Sequence, residues 1–583
     1  MAGREGPDDP TVFRLNERYM ADENATFDHM PVQGEVAPLR MGQPKPTMRK
    51  KVSLVTSDNL FALAVIVVAV TVLQVIVGTG SYSGAGRPPM YGDYEAQRHW
   101  MEITINLPLQ EWYHNTTRNN LSYWGLDYPP LTAYHSYAMG WIARRINPDW
   151  VALKTSRGIE TSEHKLFMRF TAIVAHLAVY VPAAVAYLLM YKREKSCISF
   201  PVYAFLFLAY PGLISIDHGH FQYNAVSLGL FIGAFVALVQ WKVYFGALLF
   251  VCALNYKQME LYHALPVFFY ILFSICHWRE FFNLLGPRRD EDLRSDIQAL
   301  LDQHRREMEQ RQAAEAAAQN PQDPADPPPQ PPRTQRIAIV EGYALLTLIK
   351  VAAVTILTFG FIWSPFFNVV NNISGPLQVL HRLFPFSRGL FEDKVACVWC
   401  ALSPLFKFGE EFEQHHLVKI SISLVLLPCI RPLSMVHEKS ILLVAIPALM
   451  LLPDFPELAA GFLHVSNTSL YSLCLKDDNA SHLFLFIGYF ILLVAFVPMR
   501  KWYRVYFFAR STISIGLCLV ELYGTPPPRY PHLFPFFSAF FSCCCFVADL
   551  IYAWNAMSWT EVNRALSWNN RPWAQLKKEL KME

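Results

Sequence analysis

NLFALAVIVVAVTVLQVIVG, residues 59–78, decides the fold. An apolar run of about 20 residues with no charged side chain is long enough, as a helix, to cross the hydrocarbon of a bilayer. Arg40, Lys45, Arg49, Lys50 and Lys51 precede it. By the positive-inside rule they hold the N-terminus in the cytosol, so the chain after residue 80 is expected in the lumen. Residues 1–58 are polar and Pro-containing, and read as a disordered cytosolic tail with no cleavable signal peptide.

The rest of the chain agrees. Of 583 residues, 53% are hydrophobic and only 17% charged, which excludes an ordinary soluble enzyme. Lys and Arg number 50 against 47 Asp and Glu, leaving no basic surplus to release counterions from a nucleic acid. The eleven cysteines include the run Cys543, Cys544 and Cys545 in an apolar stretch, where thiols pack as small hydrophobes. Cys397 and Cys400 form a lone C-x-x-C, without the second pair of a zinc site or a thioredoxin-like context.

Residues 81–160 are rich in Trp, Tyr, Pro and charge and read as a large lumenal loop, with amphipathic helices at 94–107 and 130–146 whose rings suit a half-wet headgroup zone. Further apolar segments lie near 166–190, 197–215, 222–240, 243–254 and 261–277, then 335–362, 395–407, 415–429, 440–453, 455–475, 482–498, 504–522 and 533–554. The expectation is an all-α polytopic membrane protein with about 14 spans. It divides into an N-terminal module, 59–282, and a C-terminal module, 335–555, with a second lumenal loop at 363–395. Between them, 283–334 is a charged and Pro-rich cytosolic insert expected to be disordered. The tail 556–583, with Lys577, Lys578 and Lys581, returns to the cytosol. Sequons at Asn115, Asn120, Asn372 and Asn479 fall on the side assigned to the lumen, whereas Asn24 lies in the cytosolic tail and Asn467 in an apolar run.

Six polar strings interrupt the apolar pattern. YGDYEAQRHW, 91–100, places Asp93, Glu95, Arg98 and His99 within one or two helical turns. Asp93 is either a general base for a sugar hydroxyl or part of a solvated helix start, and a D-x-E pair alone makes a weak cation site. WGLDYPPLTAYHSY, 124–137, fixes Asp127 and Tyr128 before two prolines, as a sugar-stacking platform or an interfacial aromatic belt. DHGHFQYN, 217–224, and NYKQMELY, 255–262, set ionisable groups between apolar runs. His218 and His220 lack the third ligand a metal requires. RLFPFSRGLFEDKV, 382–395, and HEKS, 437–440, carry cations that can clamp a phosphate or pair with neighbouring acids.

In this order, from about residue 59 to 555, these strings resemble the dolichyl-phosphate-glucose-dependent α-1,3-glucosyltransferases of the endoplasmic reticulum. Within that family, YGDYEAQRHW, NYKQMELY and FEDKV resemble the branch adding the first glucose to Man9GlcNAc2-diphosphate-dolichol, with the sister branch adding the second as the nearest alternative. The chain departs from the pattern at Cys397, where Asn is expected after Lys-Val-Ala, and in the length of the 283–334 insert. The resemblance implies a GT-C fold, inversion at the anomeric carbon, and neither metal nor cofactor beyond the lipid-linked donor. It implies Asp93 as catalytic base, with Asp127, Glu392 and His437 lining the site. Glu95, Arg98, Tyr128, His218, His220, Gln222, Lys257 and Asp393 are the further substrate contacts expected. His437 and Lys439, with Arg388 in reserve, are expected on the phosphate side. The implied partners are dolichyl-phosphate-glucose and the lipid-linked oligosaccharide in the endoplasmic reticulum membrane, with no protein partner indicated. A transporter would share the many spans, but no motif repeats between the halves. A non-catalytic scaffold leaves six polar clusters on one side of the membrane without a role.

Overall fold

The structure is a computed structural model, and it describes residues 56–190, 198–275, 333–368, 374–384 and 440–556. Among these the regular structure is helical throughout, with no strand. In chain order the helices are α1 (Ser57–Thr79), α2 (Gly92–Asn106), α3 (Pro130–Ile146), α4 (Ser162–Met190), α5 (Phe200–Phe221), α6 (Asn224–Val239) and α7 (Val243–Tyr256). They continue as α8 (Leu261–Tyr270), α9 (Arg333–Asn368), α10 (Ser374–Leu383), α11 (Ile441–Leu451), α12 (Pro456–Thr468) and α13 (Tyr471–Lys476). The last are α14 (His482–Phe496), α15 (Lys501–Tyr523) and α16 (Leu533–Ala556).

Helix α1 shows why these segments suit lipid. Leu63, Ile66, Val70, Gln74 and Val77, spaced three and four apart, are buried, while Phe61, Val65, Val68, Val72 and Ile76 stay exposed. A helix whose outward face is also apolar is matched to hydrocarbon rather than water. Six helices among the described residues are long and apolar enough to cross a membrane, and α6, α7, α11 and α14 are shorter apolar helices. α5 is the most enclosed of the six candidate spans. It packs with α1, α4, α6, α11, α12 and α14 around one apolar core that includes Tyr180, Phe207, Ile232, Leu449 and Leu463.

Several sequence expectations change. The apolar stretch 455–475 is broken into α12 and α13 at Ser469 and Leu470. α9 continues to Asn368 and α10 occupies 374–383, both reaching into the segment assigned to the second lumenal loop, whose residues 369–373 and 385–395 lie outside the described residues. The helices expected at 94–107 and 130–146 form at 92–106 and 130–146. α2 is not half-wet, however, because every residue from Tyr94 to Thr104 is buried. α3, the 148–159 loop and the aromatic stretch 112–128 cover it from all sides, and Tyr94 and Trp100 lie inside two separate apolar clusters. Only α3 keeps exposed rings, at Tyr137 and Trp141.

Candidate active site

The chain between α1 and α2 turns back sharply enough to place Asp93 in the first turn of α2. Gly84 and Gly92 have φ of +76° and +68°, and a Cβ on Gly92 would stand 2.6 Å from the Ser83 carbonyl carbon. Only glycine tolerates both the left-handed backbone and this approach. Ser83 N–H donates to the His220 carbonyl (3.1 Å), and Asp93 N–H donates to Ser83 Oγ (3.1 Å). The turn thereby ties the start of α2 to the end of α5.

The C-terminal ends of four helices meet here, beside the starts of α2 and α6. α1 and α5 end at this turn, α7 ends just before Lys257, and α13 ends just before Asp477. Gln222 Nε2 donates to Asp93 Oδ2 (2.6 Å), and His220 Nε2 lies 3.1 Å from the same oxygen. The other face of the imidazole, Nδ1, lies 2.5 Å from Asp477 Oδ2. Lys257 Nζ donates to Gln222 Oε1 (3.3 Å) and to Asn224 Oδ1. Asn224 Nδ2 donates in turn to Asp217 Oδ1 (2.7 Å), which the Asn224 N–H also reaches. One hydrogen-bonded chain thus runs from Asp477 through His220, Asp93, Gln222, Lys257 and Asn224 to Asp217. Asp93 is the member nearest solvent in its half, its side chain 27% exposed against 6% for His220 and 5% for Asp477.

The WGLDYPP loop lies alongside. The Asp127 carbonyl accepts from Gln258 Nε2 (3.1 Å), and the Tyr128 ring sits 5.2 Å from Lys257 Nζ and 4.9 Å from the Trp100 ring. Arg382, on α10, donates to the Leu126 and Gly125 carbonyls and so fastens α10 to this loop. Thr132 Oγ1 donates to the Tyr256 carbonyl and His135 Nδ1 pairs with Tyr256 Oη (2.7 Å), joining α3 to α7. Burial pushes His135 down to about 4, so the ring is neutral in that role.

The structure therefore brings Asp93, Tyr128, His220, Gln222 and Lys257 together, with Asp127 on the adjoining loop. Other expected contacts are placed elsewhere. Arg98 is fully buried and points away into the body of the loop. It donates to both Glu95 oxygens (2.7 and 2.6 Å), to Glu102 Oε2 (2.6 Å), to Ser156 Oγ and to the Trp150 carbonyl. Glu95 also accepts from Tyr123 Oη (2.8 Å). The α-helical period turns positions 95 and 98 onto a different face from position 93. His218 is buried against the His176 ring at 5.3 Å and neither of its nitrogens meets a hydrogen-bond partner among the described residues. Arg388, Glu392, Asp393, His437 and Lys439, like Cys397 and Cys400, lie outside the described residues.

Reading the sequence missed Asp477 and Asn224. KDDN, 476–479, was legible as an acid pair closing an apolar stretch, but nothing local connects it to position 220. Among the described residues no three or more His, Cys, Asp or Glu side chains are grouped to hold a metal ion.

Helices long and apolar enough to cross a membrane, whose ends gather acids, an imidazole and an ammonium group into one polar chain, fit the class of polytopic membrane enzymes. The comparisons give the family. The model described as "ALG6, ALG8 glycosyltransferase family" matches residues 61–426 and 435–552, and the chain belongs to this family and is a glycosyltransferase. It is 38% identical over 526 residues to the probable dolichyl pyrophosphate Man9GlcNAc2 alpha-1,3-glucosyltransferase of Caenorhabditis elegans, covering 85% of this chain and 89% of the relative. Similarity to the dolichyl pyrophosphate Man9GlcNAc2 alpha-1,3-glucosyltransferase of Gallus gallus is also 38%, over 577 residues, 88% of this chain and 98% of the relative. The probable enzyme of that name from Arabidopsis thaliana is 33% identical over 529 residues, 82% and 86% of the two chains.

Proposed function

We propose that this glycosyltransferase moves glucose from dolichyl-phosphate-glucose onto Man9GlcNAc2-diphosphate-dolichol in α-1,3 linkage. The reaction takes place on the lumenal side of the endoplasmic reticulum membrane, in N-glycan precursor assembly. The reading includes a GT-C arrangement of about 14 spans with both termini cytosolic. The observation that supports it best is Asp93, a partly exposed carboxylate held from two sides within an otherwise buried hydrogen-bonded chain. The names of the relatives supply the acceptor.

A dolichyl phosphodiester is an activated leaving group, so the protein needs chiefly to orient the acceptor and take its proton. The acceptor oxygen bonds to the anomeric carbon as the carbon–phosphate oxygen bond breaks. Dolichyl phosphate leaves with the electron pair, and the hydroxyl proton passes to Asp93. A β-linked donor then gives an α-linked product, which puts Asp93 and the phosphate-binding cations on opposite faces of the sugar. His437 and Lys439, with Arg388 in reserve, are assigned to the phosphate face. No metal takes part in this scheme.

The test supplies purified protein with dolichyl-phosphate-glucose and either the Man9 or the Glc1Man9 lipid-linked acceptor, with and without EDTA. Glucose should appear on Man9 alone, at the same rate with the chelator present. Asp93→Asn should lower kcat by about 10²- to 10⁴-fold, the share of general-base catalysis, while the protein stays folded. Transfer to Glc1Man9 only would move the chain to the second-glucose step, and a normal rate for Asp93→Asn would remove the base from position 93.

A further inference from the structure

Two carboxylates share the His220 ring, Asp477 at Nδ1 and Asp93 at Nε2. A neutral imidazole has one N–H, so one of its nitrogens would aim a lone pair at a carboxylate oxygen. Only the imidazolium donates to both. The surroundings favour that form. His220 occupies the last turn of α5, where unpaired carbonyls present the negative end of the helix, and the ring is flanked by two acids. Other titratable groups lie near it, and two of them, Arg169 and His482, also feel the Asp477 charge. Arg169 donates to the Gly219 and Ser81 carbonyls (2.9 Å each), His482 packs against Gly219, His218 faces His176, and Lys257 is linked to Asp93 through Gln222.

We propose that Asp477 is a positioning residue for glucose transfer, acting through His220 to hold the Asp93 carboxylate oriented and ionised until it receives the acceptor proton. Asp477 fixes the ring by accepting from Nδ1, and the ring in turn donates from Nε2 to Asp93 Oδ2. That oxygen already accepts from Gln222, so the carboxylate plane is set by two donors on one side. The three groups together bear a single net negative charge, one that the incoming proton neutralises. Asp477 stands 384 positions from Asp93 in the chain and is buried, so substrate is handled by Asp93 and not by Asp477. The inference rests on the assignment of Asp93 as base.

Asp477→Asn keeps the shape of the side chain and removes its charge. Wild type, Asp477→Asn, His220→Gln and the double variant should be purified as full-length protein and assayed for transfer across pH, with thermal unfolding measured on each. Asp477→Asn should lower kcat about 10- to 100-fold, as loss of an orienting partner does elsewhere, with both KM values within about twofold. Losing the imidazolium removes a cation beside Asp93, which raises the pH at which that carboxylate ionises. The acid limb of the kcat profile should therefore move to higher pH. If Asp477 acts on Asp93 through the ring, the double variant should be no slower than His220→Gln alone. Three results would each overturn the proposal: an unchanged kcat and pH profile in Asp477→Asn, a rise in KM with kcat preserved, or multiplicative losses in the double variant. Should Asp93→Asn itself retain activity, the base assignment fails first; a dead Asp93→Asn beside a normal Asp477→Asn defeats only the present inference.

Discussion

Replacing Arg98 by Met separates two roles for the most densely bonded side chain of α2. Its sequence position, five residues after Asp93, fits a substrate contact, whereas its bonds all run to groups of the protein. Arg98→Met would leave Glu95 and Glu102, at 2% and 0% side-chain exposure, without their shared cation. Breaking a buried pair by removing one partner costs about 3–5 kcal/mol. Glu102 gives a second measure of the same cluster. Burial by itself pushes this carboxyl up, but the hydrogen bond from His99, the charge of Arg98 and the Lys154 N–H outweigh it and hold Glu102 down to about 2, against an ordinary 4.5. That difference corresponds to about 3 kcal/mol. Because the folded value is the lower one, the stabilisation is complete above about pH 4.5 and is lost as pH falls toward 2. Without Arg98 the loss should begin at higher pH. Thermal unfolding of detergent-solubilised wild type and Arg98→Met, at neutral pH and at pH values down through 4, measures both effects. At about 2–4 °C per kcal/mol, the midpoint should fall by about 10 °C, and the protein that stays folded should keep its KM for donor and acceptor. An unchanged midpoint combined with a tenfold higher KM would refute the structural role and restore Arg98 as a substrate contact.

Two further outcomes follow from burial. Asn115 and Asn120 are exposed while Asn467 and Asn479 are buried, the latter donating to the Ser81 carbonyl (3.0 Å), so of these four positions glycosidase treatment should remove glycans from the first two only, Asn372 lying outside the described residues. Their loss in Asn115→Gln and Asn120→Gln would be read on gels, and a glycan on Asn24 with both of these bare would contradict the lumenal placement. Between α15 and α16, Arg510 makes two 2.7 Å bonds to Asp549 and one to the Gly461 carbonyl. Arg510→Met should therefore cost about 3–5 kcal/mol in unfolding assays, whereas paired replacement of Arg510 and Asp549 by apolar residues should recover most of it.

The sequence by itself determined the membrane class, α1, the positions of many of the apolar helices and the two helices of the first loop, and it singled out Asp93 as the acid to watch. Each of these rests on local information: run length, the 3.6-residue period, and a polar string at the end of an apolar run. The resemblance carried by six such strings reached the family. Contacts between distant segments were decided only when the helices packed. His220 meets Asp93 across 127 positions and Asp477 across 257, and no period in the chain records such a distance. The same holds for α2, whose charged residues suggest a wet face until α3 and the surrounding loops enclose it and Arg98 bridges its two neighbouring acids from within. Local pattern sets which segments become helices; which polar side chains share a proton is set by where those helices end, and that is a property of the packed structure.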